Sequence, residues 1–237
     1  MNIFKSALFS VFFFATPTFA NHNAVVLMYH TITQKTSDMN TKPDNFQNQI
    51  DYLHKNNFNV ISSIDLVDAI KEKKTLPPKT IVFTFDDGWA SQKIAMAKLN
   101  EYNYPATFAL VTQYQMIRNH TYLQKADLDQ YPNFTYVNHS HTHFKKDFLN
   151  NSEKDVEISK SQIIKTTGKF VPIYVYPYGA KNAELIKAIE KNGYIAAFGV
   201  GSGLVDTQRT DILYIHRYLI NDKVTLDKFK SIVNQTI

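Results

Sequence analysis

The sequence predicts an α/β chain folded as an irregular or incomplete (β/α) barrel of parallel strands, with six to seven strand–helix units. Three observations carry this. Strand-like and helix-like hydrophobic patterns alternate along the 237 residues, and parallel strands need a crossover between them. The strand segments include continuous apolar runs, the pattern of strands buried on both faces. Residues 21–237 also fit one domain, because barrels commonly run to ~200–250 residues as a unit.

The first twenty residues stand apart. Lys5 precedes an apolar run from Ala7 to Ala15, and Pro17, Thr18 and Ala20 follow. That is the layout of a secretory signal peptide cleaved near Ala20. The run is far shorter than the ~20 residues that span a bilayer. Export to the periplasm or the extracellular space is expected, with no transmembrane segment in the mature chain.

Ala24–Tyr29 reads as the first buried strand. Phe46, Ile50 and Leu53 recur at helical spacing, and Ser62 or Ser63 can cap a helix bearing Ile64, Val67, Ala69 and Ile70. Pro77 and Pro78 end that region, and Thr80–Phe85 is the next strand. A helix over 89–101 and a strand over Ala106–Val111 follow. Residues 112–133 form a polar connection with about one helical turn. Strands at Thr135–Asn138 and Ile173–Tyr176 bracket a helix over 153–167. The chain continues with a helix over 183–191, a strand over 194–200 and a short strand at Leu213–His216. Thr225 caps a final helix bearing Leu226, Phe229, Ile232 and Val233. There is no internal repeat, low-complexity tract or linker.

Composition narrows the function classes. Without cysteine, neither disulfides nor thiolate ligands are available, so an exported chain must hold itself together by packing. The net charge of +5 is scattered. The short run Lys71, Lys73 and Lys74 fits the solvated end of a helix rather than a nucleic-acid groove, so no nucleic-acid partner is expected.

In a barrel of this kind the C-terminal strand ends meet at one mouth, where chemistry is placed. Three polar clusters sit there. Thr84-Phe85-Asp86-Asp87-Gly88 ends an apolar strand. Adjacent carboxylates repel unless a cation or shared proton offsets them, though Asp-Asp-Gly is also a common turn. Asn138-His139-Ser140-His141-Thr142-His143 holds three of the eight histidines. One helical turn would bring His139 and His143 to the same side. With Asp87 they make a His2Asp set with open positions, the composition of a catalytic rather than a closed structural metal site. The third cluster is Tyr174-Val175-Tyr176-Pro177-Tyr178-Gly179, a tight loop able to aim a backbone N–H at an oxyanion.

In order and spacing these clusters resemble the polysaccharide deacetylase family, carbohydrate esterase family 4. Its Thr-Phe-Asp-Asp-Gly motif stands unaltered at 84–88, and its His-Ser/Thr-x-x-His motif matches 139–143. Its Arg-x-Pro-Tyr motif appears as Val175-Tyr176-Pro177-Tyr178, with valine in place of the arginine, and its late Leu-x-His element has an approximate match at Tyr214-Ile215-His216. Met28-Tyr29-His30 and Tyr176-Pro177-Tyr178-Gly179 look most like the branch of biofilm poly-N-acetylglucosamine deacetylases.

The resemblance implies a hydrolase that removes N-acetyl groups from an amino-sugar polymer. It implies a divalent metal, Zn2+, on Asp87, His139 and His143, with Asp86 as general base and the Tyr178 N–H facing the oxyanion. His30 is favoured as proton donor over His216. Arg217 is expected to stand in for the arginine absent at Val175 and to orient Asp86. Trp89, Tyr176 and Pro177 are candidates to contact the sugar; Ser140 is expected to support the loop, and His141 to lie outside the ligand set. Two other readings stay open: a metal-containing carbohydrate-binding protein with little turnover, and a deacetylase of a lipid-linked or small amide substrate. Intact Asp86 argues against the first, since binding alone needs no base.

Overall fold

In the computed structural model, which describes residues 21–117 and 120–237, β1 (Asn23–Tyr29) forms the spine of a parallel sheet. The segment read as a signal peptide lies outside the described residues. After β1 come a two-stranded lip, β2 (Thr31–Ile32) and β3 (Asn40–Thr41), and α1 (Pro43–Lys55). Then follow β4 (Asn59–Val60), α2 (Ser63–Glu72), β5 (Thr80–Phe85), α3 (Lys93–Glu101) and β6 (Thr107–Leu110). The middle of the chain forms α4 (Lys125–Gln130), β7 (Thr135–Asn138), α5 (Lys145–Phe148), α6 (Ser152–Thr167) and β8 (Ile173–Val175). The last elements are α7 (Ala183–Lys191), β9 (Ala196–Phe198), β10 (Val205–Asp206), β11 (Tyr218–Leu219) and α8 (Leu226–Val233). No helix among the described residues is long and apolar enough to cross a membrane.

The strands run β10-β1-β5-β6-β7-β8-β9, with β4 added to β5 and β11 to β1. All pairs of the large sheet are parallel except β1 with β10. Residues 215–220 close the ring. At one end Ile215 N donates to Ala197 O and Gly199 N to Ile215 O, each 2.9 Å; at the other Ile220 N donates to Met28 O at 2.9 Å. The expected barrel of parallel strands is therefore present.

Side chains alternate between the two faces of each strand. Val26, Val82, Val137, Val175, Phe198 and Ile215 share one buried cluster with Leu66, Val67 and Ile70 of α2, so α2 packs onto the barrel interior. Val25, Leu27, Tyr29, Phe83 and Phe85 belong to a second cluster, with Phe46 and Ile50 of α1, Met96 and Leu99 of α3, and Phe229 of α8. Tyr174, Tyr176 and Ala197 lie under α6 and α7, against Val156, Leu185 and Ile189. Carried four residues beyond Val26 and Val82, and two beyond Val137 and Ile215, this alternation reaches His30, Asp86, His139 and Arg217. That parity assembles the site.

Helix ends follow local chemistry. Ser62 and Asp65 form a reciprocal capping box before α2, and Asn182 and Thr225 accept from Leu185 N and Lys228 N. Two expectations need correction. The helix expected from residue 89 begins as a 3-10 turn over Ala90–Gln92. The strand expected at Leu213–His216 lies further on, at Tyr218–Leu219, because Asp211 draws residues 211–214 into a turn. Tyr214 N donates to Asp211 O and Leu213 N to Asp211 Oδ1, both at 2.9 Å.

Candidate active site

Asp87, His139 and His143 converge at the mouth. The two histidine Nε2 atoms are 3.3 Å apart and lie 3.5 and 3.3 Å from Asp87 Oδ1. Each of the three residues is oriented through its other polar atom. His139 Nδ1 donates to Val175 O at 2.8 Å, which leaves its Nε2 as a lone pair. His143 Nδ1 is 3.0 Å from Tyr178 Oη, and Asp87 Oδ2 accepts from Trp89 Nε1 at 2.9 Å. Outer partners of this kind set ligand tautomer and direction.

The backbone accomplishes this by an uncommon route. His139 and His143 do not lie on a helical turn, as their spacing had implied; 139–143 is a loop with Ser140 at φ 72° and His143 at φ 64°. Asp87 (φ 73°) and Tyr178 (φ 59°) are left-handed too, so four of the eight such non-glycine residues among those described belong to this site. Sparsely populated backbone costs roughly 1–3 kcal/mol per residue and clusters where function requires it. Gly88 (φ 74°) completes the Asp87 turn, and a Cβ there would come within 2.9 Å of Leu110 and Gln115 side-chain atoms.

Behind this trio sits a separate pair. Asp86 is 2% exposed, and its two oxygens accept from Arg217 Nη1 at 2.7 Å and Nη2 at 2.8 Å. Arg217, itself 1% exposed, spends Nε on Gly199 O and shares Nη1 with Thr84 Oγ1. His30 is buried nearby, and its Nδ1 has no hydrogen-bond partner among the described residues. Gln92, which the sequence did not single out, donates to the carbonyls of both His30 (2.9 Å) and Asp86 (2.6 Å). Asp155 was missed as well. From α6 it accepts from Ser140 Oγ and the His141 and Thr142 N–H groups. Gln92 and Asp155 sit in helical segments with no motif around them, so nothing local marked them.

Other candidates fall elsewhere. His216 is exposed, edge-on to Tyr214, because it has the opposite parity to Ile215 and Arg217. Tyr176 is fully buried beside Tyr174 and Tyr214, and Pro177 is buried. The expectation that these two contact the sugar is therefore corrected: neither has surface to offer, since Tyr176 points outward under α6 and α7. Tyr178 is the exposed ring of that cluster, at 59%. Trp89 is half-buried and rests on Tyr122, centroids 4.9 Å apart. His141 lies apart from the Asp87, His139 and His143 trio, with Nδ1 2.9 Å from Thr112 Oγ1.

The electrostatics separate the groups. Burial opposes ionisation of Asp86, but Arg217 and His139 outweigh it and hold its carboxyl below the ordinary range. Asp87 is likewise held down, by the neighbouring histidines against its burial. Burial lowers His143 to about 4, with His139 adding to the effect. Burial also lowers His30, against the pull of Asp86 and Asp87. His139 is raised, because Asp86 and Asp87 overcome its desolvation.

This donor set fits a metal ion. Asp87 Oδ1 is buried without a hydrogen bond among the described residues, and three lone-pair atoms facing one another call for a cation between them. A tetrahedral ion with bonds of ~2.0–2.1 Å sets its ligand atoms ~3.3 Å apart, close to the spacing found. Among the described residues this trio is the only group of histidine and carboxylate side chains so arranged.

Known proteins resemble this chain in sequence and in fold. Among curated proteins, the chain is 26% identical over 251 aligned residues to the poly-beta-1,6-N-acetyl-D-glucosamine N-deacetylase of Staphylococcus epidermidis, covering 92% of this chain and 84% of that one. It is 22% identical over 259 residues to the protein of the same name from Escherichia coli K12, covering 88% of this chain but 38% of that longer one. Among solved structures, the Streptococcus pyogenes deacetylase PplD in complex with acetate superposes with a TM-score of 0.81 at 17% identity, over 90% of this chain and 99% of that one. IcaB from Ammonifex degensii follows at 0.77 and 18%, over 91% and 97%. At such identities the structures speak for the fold. Residues 73–197 match the profile described as polysaccharide deacetylase. That match spans more than half of the chain and takes in Asp86, Asp87, His139, His143 and Tyr178: the chain belongs to the polysaccharide deacetylase family.

Proposed function

We propose that this chain hydrolyses N-acetyl groups from an amino-sugar polymer of the cell envelope or biofilm, using Zn2+ held by Asp87, His139 and His143. One observation carries the reading. A preformed trio of inward-facing ligand atoms stands beside a buried carboxylate, Asp86, that is paired with Arg217 instead of joining the trio. A binding protein has no use for that second carboxylate.

A cation bound there supplies Lewis acidity toward the acetyl carbonyl and toward water. Asp86 takes the proton of the attacking water as general base, and Arg217 fixes the direction of its lone pairs. The Tyr178 N–H donates to the oxyanion as charge develops, while the Tyr178 hydroxyl steadies His143. His30 gives a proton to the departing amine, so that acetate and a free amino sugar leave. Trp89 and Tyr178 offer aromatic surface to the sugar beside the mouth. The Staphylococcus epidermidis relative, similar over most of both chains, supports β-1,6-linked poly-N-acetylglucosamine as the polymer. The signal-like residues 1–20 support action outside the cytoplasm.

The test is acetate release from poly-N-acetylglucosamine, chitin oligomers, peptidoglycan and acetylated xylan, before and after chelation and zinc return. Release from the first polymer that disappears with chelator and returns with zinc is expected. A zinc-loaded protein that frees no acetate from any of the four overturns the reading.

A further inference from the structure

The loop that carries both histidine ligands is held by an acid that touches neither imidazole. Asp155, 4% exposed in the first turn of α6, gathers three donors from residues 140–142. Ser140 Oγ donates to Oδ2 at 3.1 Å, the His141 N–H points at both oxygens at 3.1 Å, and the Thr142 N–H reaches Oδ2 at 3.4 Å. With its hydrogen committed to Asp155, Ser140 Oγ turns a lone pair to the His143 N–H, 3.2 Å away. The loop's carbonyls are fastened on the other side: Thr112 N donates to Ser140 O at 3.1 Å and Gln113 N to His141 O at 2.9 Å.

We infer that Asp155 is the positioning residue of the metal centre, holding Ser140 and His143 in the left-handed conformations that bring the two Nε2 atoms together. The inference rests on the metal reading above. The physical ground is the backbone: Ser140 (φ 72°) and His143 (φ 64°) occupy a region that residues with side chains rarely adopt. Three donors converging on one buried carboxylate offset that preference, and bonds to an ionised acceptor are stronger than neutral ones. Asparagine keeps the shape but turns an N–H2 toward these donors, so the grip is lost without a cavity.

The experiment measures zinc affinity by chelator competition for wild type, Asp155→Asn, Ser140→Ala and the exposed α6 control Glu157→Gln, together with metal-free Tm. Asp155→Asn is expected to weaken zinc binding about 10–100-fold, the range for outer partners of metal ligands. Ser140→Ala should weaken it less, and Glu157→Gln should match wild type. A merely structural acid would lower Tm and leave the affinity of the folded protein unchanged. Affinity within threefold of wild type in folded Asp155→Asn overturns the inference alone. If that variant does not fold, wild-type affinity in folded Ser140→Ala overturns it instead. Absence of zinc binding by wild type overturns the metal reading and this inference together.

Discussion

Arg217 and Asp86, 131 positions apart in sequence, form a bidentate pair buried from solvent, with N–O distances of 2.7 and 2.8 Å. The arginine of the family's third motif is absent here, with Val175 in its place. Val175 still serves the site through its carbonyl, which fixes the tautomer of His139. A guanidinium from the strand that closes the barrel meets Asp86 instead.

Arg217→Ala is expected to destabilise the protein by about 3–5 kcal/mol, since a buried carboxylate would lose its partner. In the folded fraction, kcat/KM should fall by more than threefold, about 0.65 kcal/mol in barrier terms. Without the charge that keeps Asp86 low, the acid limb of the pH profile should move up. Arg217→Lys should recover part of the stability but not the bidentate geometry. Activity of Arg217→Ala within threefold of wild type would sink the positioning role.

Asp86→Asn and the double variant His139→Ala, His143→Ala should fail in different ways. The first removes the base and keeps the shape, so zinc stays and turnover drops roughly 10²–10⁴-fold. The second should lose zinc. Metal analysis and acetate release on both proteins separate the roles; a zinc-replete double variant, or an Asp86→Asn protein of near-normal rate, contradicts the assignment.

His30 is buried beside Asp86, whereas His216 is exposed, with the opposite facing to its buried neighbours Ile215 and Arg217. His30→Ala is therefore expected to slow an amide far more than an activated ester, whose leaving group needs no proton. His216→Ala should slow neither. The opposite pattern would transfer the donor role to His216.

Metal-free stability should depend on pH through His143. Burial holds its folded pKa at about 4, against ~6.5 in the unfolded chain. Between these values the unfolded chain binds the extra proton. The contribution is thus fully present above ~6.5 and lost as pH falls through about 4. His30 acts in the same direction and His139 in the opposite one, so the contrast with His143→Ala isolates the effect. The Tm of metal-free wild type should fall more steeply across this window than that of His143→Ala; parallel curves would refute it.

Most of the frame was legible in the chain itself. Continuous apolar runs marked β1 and β5, and the strand expected at Thr135–Asn138 and the helix expected over 183–191 fall where β7 and α7 stand. The motifs could be read because Asp86 and Asp87, and His139 and His143, are close in sequence and each group follows directly on a strand. What local pattern could not decide was facing and distance. Tyr176 and Tyr178 differ by two residues, yet one is sealed beneath α6 and α7 and the other is exposed, because a left-handed residue breaks the alternation between them. The one-turn spacing of His139 and His143 pointed to a helix, but Asp155, Thr112 and Gln113 bend those residues into a loop. The sequence offered Arg217 as a partner for Asp86, but only the closed barrel brings the two together, and nothing in the sequence marked Gln92, which reaches the carbonyls of His30 and Asp86. Residue patterns encode which side chains share a face over a few positions; contacts across 131 positions form only when the barrel closes.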